Sequence, residues 1–199
     1  MAPVRIHAGD VVHYWDHLVM MLRDGTTGAE TAFLSLYAIT YSKSLGPGHV
    51  ALLEIPGAAD GPLEALVSDD ADLGHRQRER LRALGTGRAA LDTEPVVGSF
   101  ERHPFDDGGF GFTIRWADRT VVARWDDASA PMWVDGSAGG FSPLEDIWAI
   151  FTDAARPGLT LDGVSVPGEP YPDPGWADRL PGGLGSAHAA FAEVRVEPG

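Results

Sequence analysis

The sequence predicts a mainly β protein, a single calycin/lipocalin-like barrel or curved antiparallel sheet with two packed helices. Apolar residues alternate over several short segments, and glycine-containing turns separate those segments. Two other stretches, at about 70–84 and 143–155, show helical spacing instead. The chain has 199 residues, of which 44% are hydrophobic, and this is enough apolar material for one core. We therefore expect residues 1–199 to form a single β-rich domain.

Composition excludes several classes of function. A formal net charge of −14 argues against nucleic acid and anionic membrane surfaces as partners, because both would repel the chain. The chain contains no cysteine, so disulfides, thiolate metal sites and cysteine nucleophiles are excluded. The first ten residues show no basic-then-apolar signal pattern, and no apolar run approaches the ~20 residues of a membrane-spanning helix. We expect a cytoplasmic protein, of an oligomeric state that the sequence leaves open.

The most apolar stretch, residues 11–41, predicts a central hairpin. Its two arms flank Asp24-Gly-Thr-Thr-Gly28, a polar break typical of a hairpin turn. As a strand, residues 11–22 place His13, Trp15 and His17 on one face with valine and methionine. Neither face is polar throughout, so we expect the hairpin to be covered on both sides. The alanines and leucines of residues 31–41 would also suit a helix, but aromatic and β-branched residues favour a strand.

A strand at 49–55 is followed by the first predicted helix, at about 70–84. Leu73, Gln77, Leu81 and Leu84 form one stripe of this helix, and Gly85 ends it. Its other face carries four arginines, namely Arg76, Arg78, Arg80 and Arg82. These arginines could form a basic dock for an acidic ligand or for the acidic surface of the chain itself, or they could simply be solvated.

The second half of the chain returns to strands. Residues 110–116 and 120–125 alternate around a turn at 117–119. Ser142, Pro143 and Glu145 resemble the start of a capped helix, and an apolar stripe over 144–155 predicts the second helix, at about 143–155. A tight hairpin at 159–166 turns at Asp162-Gly163.

The last forty residues predict a loop and a closing strand. Residues 167–185 contain five prolines and five glycines, a composition typical of a lid or rim. From His188 to Val196 the pattern alternates, which predicts a strand with His188, Ala190, Ala192, Val194 and Val196 facing inward. The same alternation predicts that Glu193 and Arg195 face outward.

The His13-x-Trp15-x-His17 pattern is the first candidate for chemistry. On a strand the three rings project together, so they could line a pocket and bind or protonate a ligand, or they could be satisfied core side chains. Asp16 is an acid within an apolar strand and a candidate general acid. A metal site would need a helix here, because residues four apart on a strand are separated by roughly 13 Å. No Gly-x-Ser-x-Gly elbow is present.

The residues Tyr14-Trp15, His17-Leu18, Asp24-Gly25 and Phe33-Leu34, followed by His49-Val-Ala-Leu-Leu, resemble the opening of the lipocalin-like carotenoid hydratase/AttH group. The resemblance covers roughly residues 11–55. It implies a β-barrel that encloses a hydrophobic ligand, with hydration or pericyclic cyclisation carried out without a cofactor. This chain is shorter than the two-barrel members, and the resemblance transfers no catalytic residue.

Taken together, these patterns predict that a small hydrophobic molecule binds in the barrel interior. One function class is a cofactor-independent isomerase, cyclase or hydratase, and another is a binding protein without turnover. A third is an interaction module that docks through the arginine-rich helix. The candidate residues are Asp16 and His17 for acid–base catalysis, with no metal ligand predicted, and, for ligand binding, His13, Trp15, Tyr37, Phe112, Trp116, Trp125 and His188.

Overall fold

A computed structural model describes residues 10–104, 109–136, 145–177, 179–180 and 182–197. Ten strands of these residues form one nearly closed antiparallel barrel, and one long helix packs outside it. The elements are β1 (Val11–Arg23), β2 (Glu30–Ser42), β3 (Gly48–Ile55), β4 (Leu63–Ser68), α1 (Ala71–Ala83), a 3-10 helix (Ala89–Asp92), β5 (Val96–Val97), β6 (Ser99–Pro104), β7 (Phe110–Trp116), β8 (Arg119–Ala128), β9 (Met132–Gly136), β10 (Asp146–Leu161), β11 (Val164–Ser165), β12 (Pro172–Asp173), α2 (Pro174–Ala177), β13 (Leu184–Gly185) and β14 (Ala187–Val196).

The strand order around the barrel is β5-β4-β3-β2-β1-β14-β10-β8-β7-β6. All of these pairs are antiparallel except β4–β5. The two end strands, β5 and β6, are joined through Gly98, whose N–H donates to the Ser68 carbonyl over 2.8 Å. One glycine therefore carries the chain from one edge of the sheet to the other and nearly closes the barrel. The predicted mainly β, barrel-shaped fold is confirmed.

The barrel interior is a packed core. Leucines and methionine of the hairpin, such as Leu18, Met20 and Leu34, meet aromatic residues of the far wall. Trp125 on β8 is fully buried, and its indole N–H donates to the Val19 carbonyl of β1 over 2.9 Å, between strands that are not neighbours in the sheet. Side chains that occupy the centre in this way behave as a close-packed core.

Two further apolar layers lie outside the barrel wall. Helix α1 and the 3-10 helix cover the outer face of β1 to β4, where Leu73 and Leu81 pack near Trp15 and Tyr37. On another part of the wall, the segment from β12 to β13 covers β10 and β14. Over their central residues, strands β1, β2 and β10 are therefore covered on both faces. This confirms the prediction that the 11–41 hairpin is central and covered on both sides.

The predicted first helix is confirmed as α1. Its N-cap is Asp70, whose carboxylate accepts from the Leu73 N–H over 2.8 Å, and Gly85 follows its C-terminus at φ +78°. The arginines of its outer face bind groups of the chain itself. Arg76 donates to the Leu45 carbonyl, and Arg82 donates to the Leu91 carbonyl.

The predicted second helix at 143–155 is wrong. Residues 146–155 belong to β10, a strand of 16 residues, while 143–144 lie outside the described residues. The two faces of this strand contact different layers, with Ala154 in the barrel core and Phe151 in the outer layer. A strand buried on both faces has no clean alternation of apolar and polar residues. Its apolar positions therefore matched a helical stripe by chance.

The closing strand is confirmed as β14, but its predicted faces are partly wrong. Ala187 and Ala189 point into the barrel core, whereas His188 points to the outer layer. A bulge interrupts the register between Ala190 and Glu193, and Ala192 adopts φ +48°. As a result, Glu193 is buried rather than exposed.

Candidate functional site

A cavity of about 460 Å³ lies at one end of the barrel, where the barrel core approaches the surface. Its floor contains Ile55 and Leu161, which belong to the packed interior. Its walls come from the β3–β4 turn, the β10–β11 hairpin and the residues after it, and its apolar members are Pro56, Ala58, Ala59, Val164, Val166 and Pro167. Cavities of this size and character are typical of sites for small apolar molecules.

A charged cluster forms one rim of this cavity. Arg119, at the start of β8, contacts Asp60 Oδ2 at 3.1 Å and Asp162 Oδ2 at 2.8 Å. The other Asp162 oxygen accepts from the Thr120 N–H over 2.7 Å. The turn at Asp162-Gly163, predicted from the sequence, places this carboxylate, with both residues at positive φ. The rim is thus fixed by the start of β8 and by two short turns rather than by a long loop.

A second group of residues lies outside the barrel, between its wall and α1, with Trp15 and Glu193 buried and the other members partly buried. Glu193 Oε1 accepts from the Trp15 indole N–H over 2.8 Å and from Arg195 Nε over 2.6 Å. Arg195 Nη1 also reaches Glu145 Oε2 at 3.2 Å, and Arg80 of α1 lies 3.5 Å from the same oxygen. We call these five residues the Trp15 cluster.

Electrostatics in the Trp15 cluster favour the charged forms. Burial alone would raise the pKa of Glu193, but the charge of Arg195 and the hydrogen bonds from Arg195 and Trp15 together hold it below its usual value. Burial also opposes ionisation of Glu145, yet the hydrogen bond from His13 and the charges of Arg195 and Arg80 lower its pKa to about 2. Arg80 is the exception, because burial lowers its pKa and so opposes its charged form. The carboxylates and guanidinium groups of the cluster therefore compensate one another's charge, and Arg80 connects α1 to the barrel through Glu145.

The histidines predicted to carry chemistry lie beside this cluster. His13 is buried, stacks on Trp15 at 4.5 Å between ring centroids, and places Nδ1 2.9 Å from Ser42 Oγ. His17 stacks on Tyr37 at 4.2 Å, and its Nε2 lies 2.9 Å from Ser35 Oγ. Burial lowers the pKa of His17 to about 4, which makes its imidazole neutral at pH 7.

His13, Trp15, His17 and Tyr37 are in contact with one another, but they lie on the outer face of the barrel beneath α1. The expectation that they point into the barrel is wrong, although the segment is extended as predicted. The physical reason is that α1 forms a second apolar layer outside the barrel, so an aromatic ring can be buried on either face of strand β1. Whether these residues bind or react with a ligand stays a prediction.

The other candidate residues are scattered. Phe112, Trp116 and Trp125 are core side chains of the interior and do not line the cavity. His188 lies in the other outer layer, near Phe151, with Nδ1 2.8 Å from the Gly185 carbonyl oxygen.

Asp16 lies on the interior side of β1, seven residues before the strand ends near the cavity. Both of its oxygens accept hydrogen bonds, from the Ala192 N–H at 2.9 Å and from Arg102 Nη1 at 3.0 Å. The Arg102 guanidinium also lies over the rings of Phe112 and Phe191. These contacts describe a structural ion pair within one barrel end, remote from the cavity.

Sequence reasoning missed both the cavity rim and the charged half of the Trp15 cluster. The Asp162-Gly163 turn is predicted from the sequence. No nearby residue pattern indicates that Arg119 would contact both Asp162 and Asp60. Glu193 and Arg195 alternate with alanine and valine in the sequence, a pattern that indicates an exposed face when no second layer is assumed. A β-bulge leaves no comparable signal in this sequence.

The fold and the cavity define the class of this protein as a mainly β, nearly closed barrel that could hold a ligand. Comparison of the chain with protein-family models, with curated proteins and with solved structures found no match. The barrel agrees with the shape implied by the resemblance to the lipocalin-like carotenoid hydratase/AttH group, and membership of that group stays a prediction.

The described residues contain neither a cluster suited to a metal ion nor a helix suited to a membrane. Within the described ranges, no group of three or more histidine and acidic side chains is placed so that it could hold a metal ion. No helix in the same part of the chain is both long and apolar enough to cross a membrane.

Proposed function

We propose that the protein binds a small hydrophobic molecule at the end of the barrel, in the cavity of about 460 Å³. The observation that carries this proposal is the composition of the cavity: its floor is the barrel core and its walls are mainly apolar, with a fixed polar rim. Apolar walls supply most of the binding free energy, and a few placed polar groups orient the ligand.

Binding without turnover is the form of this function that the geometry supports best. The candidate acid–base groups, Asp16 and His17, do not line the cavity. A general acid must lie within hydrogen-bonding reach of the atom that it protonates. Isomerisation, cyclisation or hydration would therefore require a second site near those residues, and we do not include it in the proposal.

A neutral fluorescent probe tests the proposal. N-phenyl-1-naphthylamine becomes fluorescent in apolar surroundings and carries no charge that the acidic protein would repel. Ala58 is half-buried in the cavity wall, so Ala58→Trp should fill the space and weaken binding by about tenfold or more, the equivalent of ~1.4 kcal/mol.

Val97→Trp provides the matched control, because Val97 is exposed on β5 and is not part of the cavity. It adds the same ring without filling the site and should leave the affinity unchanged. Far-ultraviolet circular dichroism and the melting temperature establish that each variant is folded, and Val166→Trp replaces Ala58→Trp if the latter does not fold. Equal binding by the cavity variant, or no binding by the wild type, would contradict the proposal. Native mass spectrometry of protein purified from its own host then identifies a retained ligand by its added mass.

A further inference from the structure

At the end of the barrel away from the cavity, the long strands present an exposed apolar face. A row of directly paired residues crosses five strands, from Tyr41 on β2 through Tyr14, Val194 and Trp148 to Asp135 on β9. Val11, Ile150 and Trp133 extend this face. Tyr14 is 38% exposed, Tyr41 is 47% exposed and Trp133 is 59% exposed. We call this face, formed by Val11, Tyr14, Tyr41, Trp133, Trp148, Ile150 and Val194, the aromatic shelf.

The aromatic shelf is a consequence of strand length. Tyr14 shares the face of β1 that carries Leu18 and Met20, which line the barrel interior. Strand β8 pairs with the second half of β10, from Ala154 onward, whereas β9 pairs with its first half. The inward face of β1 thus extends from the core residues Leu18 and Met20 to Tyr14, which is exposed. Exposed apolar patches of this kind mark interaction sites.

The charges around the aromatic shelf are mainly negative. Asp10 and Glu197 stand at one side of it, with Lys43 Nζ at 4.0 Å from Asp10 and 3.1 Å from Glu197. Asp135 and Asp146 stand at the other side, on β9 and β10. The described residues of this region therefore carry four carboxylates and one ammonium group, and Asp135 Oδ1 already accepts a hydrogen bond from the Trp148 indole N–H over 3.1 Å. A shallow cavity of about 690 Å³ lies over the lysine side and includes Tyr14 and Tyr41.

We propose that the aromatic shelf binds a basic polypeptide segment of another protein, in which arginine or lysine alternates with apolar residues. Apolar side chains of such a segment would cover the rings, and guanidinium groups would meet the carboxylates and the faces of the tyrosines. A second copy of this chain fits less well, because a symmetric contact would bring two acidic shelves together on molecules that each carry −14.

The dimensions of the shelf set the length of the segment. Five strands at about 4.8 Å spacing span roughly 19 Å, which an extended chain covers with about six residues at ~3.3 Å each. A synthetic peptide of eight residues that alternates arginine and leucine, labelled with fluorescein, is therefore a suitable probe. An otherwise identical peptide with glutamate in place of arginine tests the role of charge.

Fluorescence anisotropy with the whole protein measures the affinity. We expect the arginine peptide to bind and the glutamate peptide to bind at least tenfold more weakly. The double variant Tyr14→Ser/Tyr41→Ser should weaken binding of the arginine peptide by about tenfold or more, as loss of central aromatic contacts does in other interfaces. The double variant Asp10→Asn/Glu197→Gln should weaken it several-fold and reduce its dependence on salt.

Matched controls lie elsewhere on the surface. Val97→Ser removes an exposed apolar side chain of β5, and Glu64→Gln removes an exposed carboxylate of β4. Neither should change the affinity. The proposal is overturned if both peptides bind equally, if neither binds, or if the controls lose as much affinity as the shelf variants. It is also overturned if sedimentation shows a wild-type dimer that Tyr14→Ser/Tyr41→Ser dissociates, because a second copy would then occupy the shelf.

Discussion

Trp15 and Glu193 lie directly opposite each other on β1 and β14, and the indole N–H of one donates to the carboxylate of the other over 2.8 Å. Glu193 is only 1% exposed, and its charge is compensated by Arg195 at 2.6 Å. The pair connects the aromatic layer beneath α1 to a buried network of charges. Buried charges of this kind are costly to disturb, because removal of one partner leaves the other without compensation.

Replacing Glu193 with glutamine should therefore destabilise the protein strongly. Glutamine can still accept the hydrogen bond from Trp15, so the change removes mainly the nearer of the two carboxylates that compensate Arg195, the other being Glu145 at 3.2 Å. We expect the free energy of unfolding to fall by about 3 kcal/mol, measured by urea denaturation. The exposed pair of Glu101 and Arg115, 3.1 Å apart, provides the control, and Glu101→Gln should cost less than about 1 kcal/mol. Equal effects at the two sites would contradict a structural role for the buried charge.

A second prediction concerns stability at mildly acidic pH. Burial lowers the pKa of His17 from 6.5 to about 4, so the unfolded chain binds a proton at a higher pH than the folded protein does. The contribution to stability is complete above pH 6.5 and is lost as the pH falls towards 4. For a single partly buried group we expect a loss of about 2–3 kcal/mol over this range.

The variant His17→Gln should make the free energy of unfolding less dependent on pH between 6.5 and 4. Some dependence should remain, because burial also lowers the pKa of His188. His75→Gln is the same substitution on the exposed side of α1 and controls for the loss of a histidine as such. An unchanged slope in His17→Gln would contradict the prediction, because it would show that His17 binds its proton equally in the folded and unfolded states. The pKa of Glu145 is lowered from 4.5 to about 2, so its contribution to stability is lost only as the pH falls below 4.5.

The architecture was largely predictable from the sequence because turns and alternation are local signals. The Asp162-Gly163 hairpin and the end of α1 at Gly85 both follow from residues within one turn of the feature. The helix predicted at 143–155 failed because β10 is buried on both faces, so its apolar spacing carried no information about its period. The spacing of apolar residues identifies a helix or a strand only where one face of that element is exposed to solvent.

The candidate site was less predictable, because its residues are brought together by tertiary layers. The residues around Trp15 form a visible cluster in the sequence, but no local pattern places them under α1 rather than inside the barrel. The partners of Arg119 come from turns about 40 and 60 residues away. Contacts between such distant residues depend on strand register and on β-bulges, such as the one at Ala192. Neither the register nor the bulge has a local sequence pattern here.

A third prediction concerns Gln77, the polar member of the stripe by which α1 packs on the barrel. Its side chain is fully buried, and neither its amide nitrogen nor its amide oxygen has a hydrogen-bond partner among the described residues. Burial of an unpaired amide costs about 1–3 kcal/mol. Gln77→Leu should therefore stabilise the protein by about 1–2 kcal/mol, seen as a higher urea midpoint. Glu79→Leu, on the exposed side of the same helix, should have little effect. Destabilisation by Gln77→Leu would show that the amide is hydrogen-bonded in solution.

The last prediction concerns Gly98, where the chain crosses from β5 to β6. A Cβ atom at this position would lie 2.5 Å from Val67 Cγ1 and 2.6 Å from the Arg115 carbonyl oxygen. The carbonyl oxygen belongs to the backbone of β7 and cannot move without disturbing its pairing with β6. Gly98→Ala should therefore separate the two edges of the barrel and cost about 1–3 kcal/mol, the range found for overpacked sites. Gly87→Ala is the matched control, because a Cβ there meets nothing within 4 Å, and it should be neutral or slightly stabilising. The double variant Val67→Ala/Gly98→Ala should remain less stable than Val67→Ala alone, since truncation of the valine relieves only one of the two close contacts. If Gly98→Ala instead melts at the temperature of the wild type, the close approach of β4 and β7 at this residue does not close the barrel.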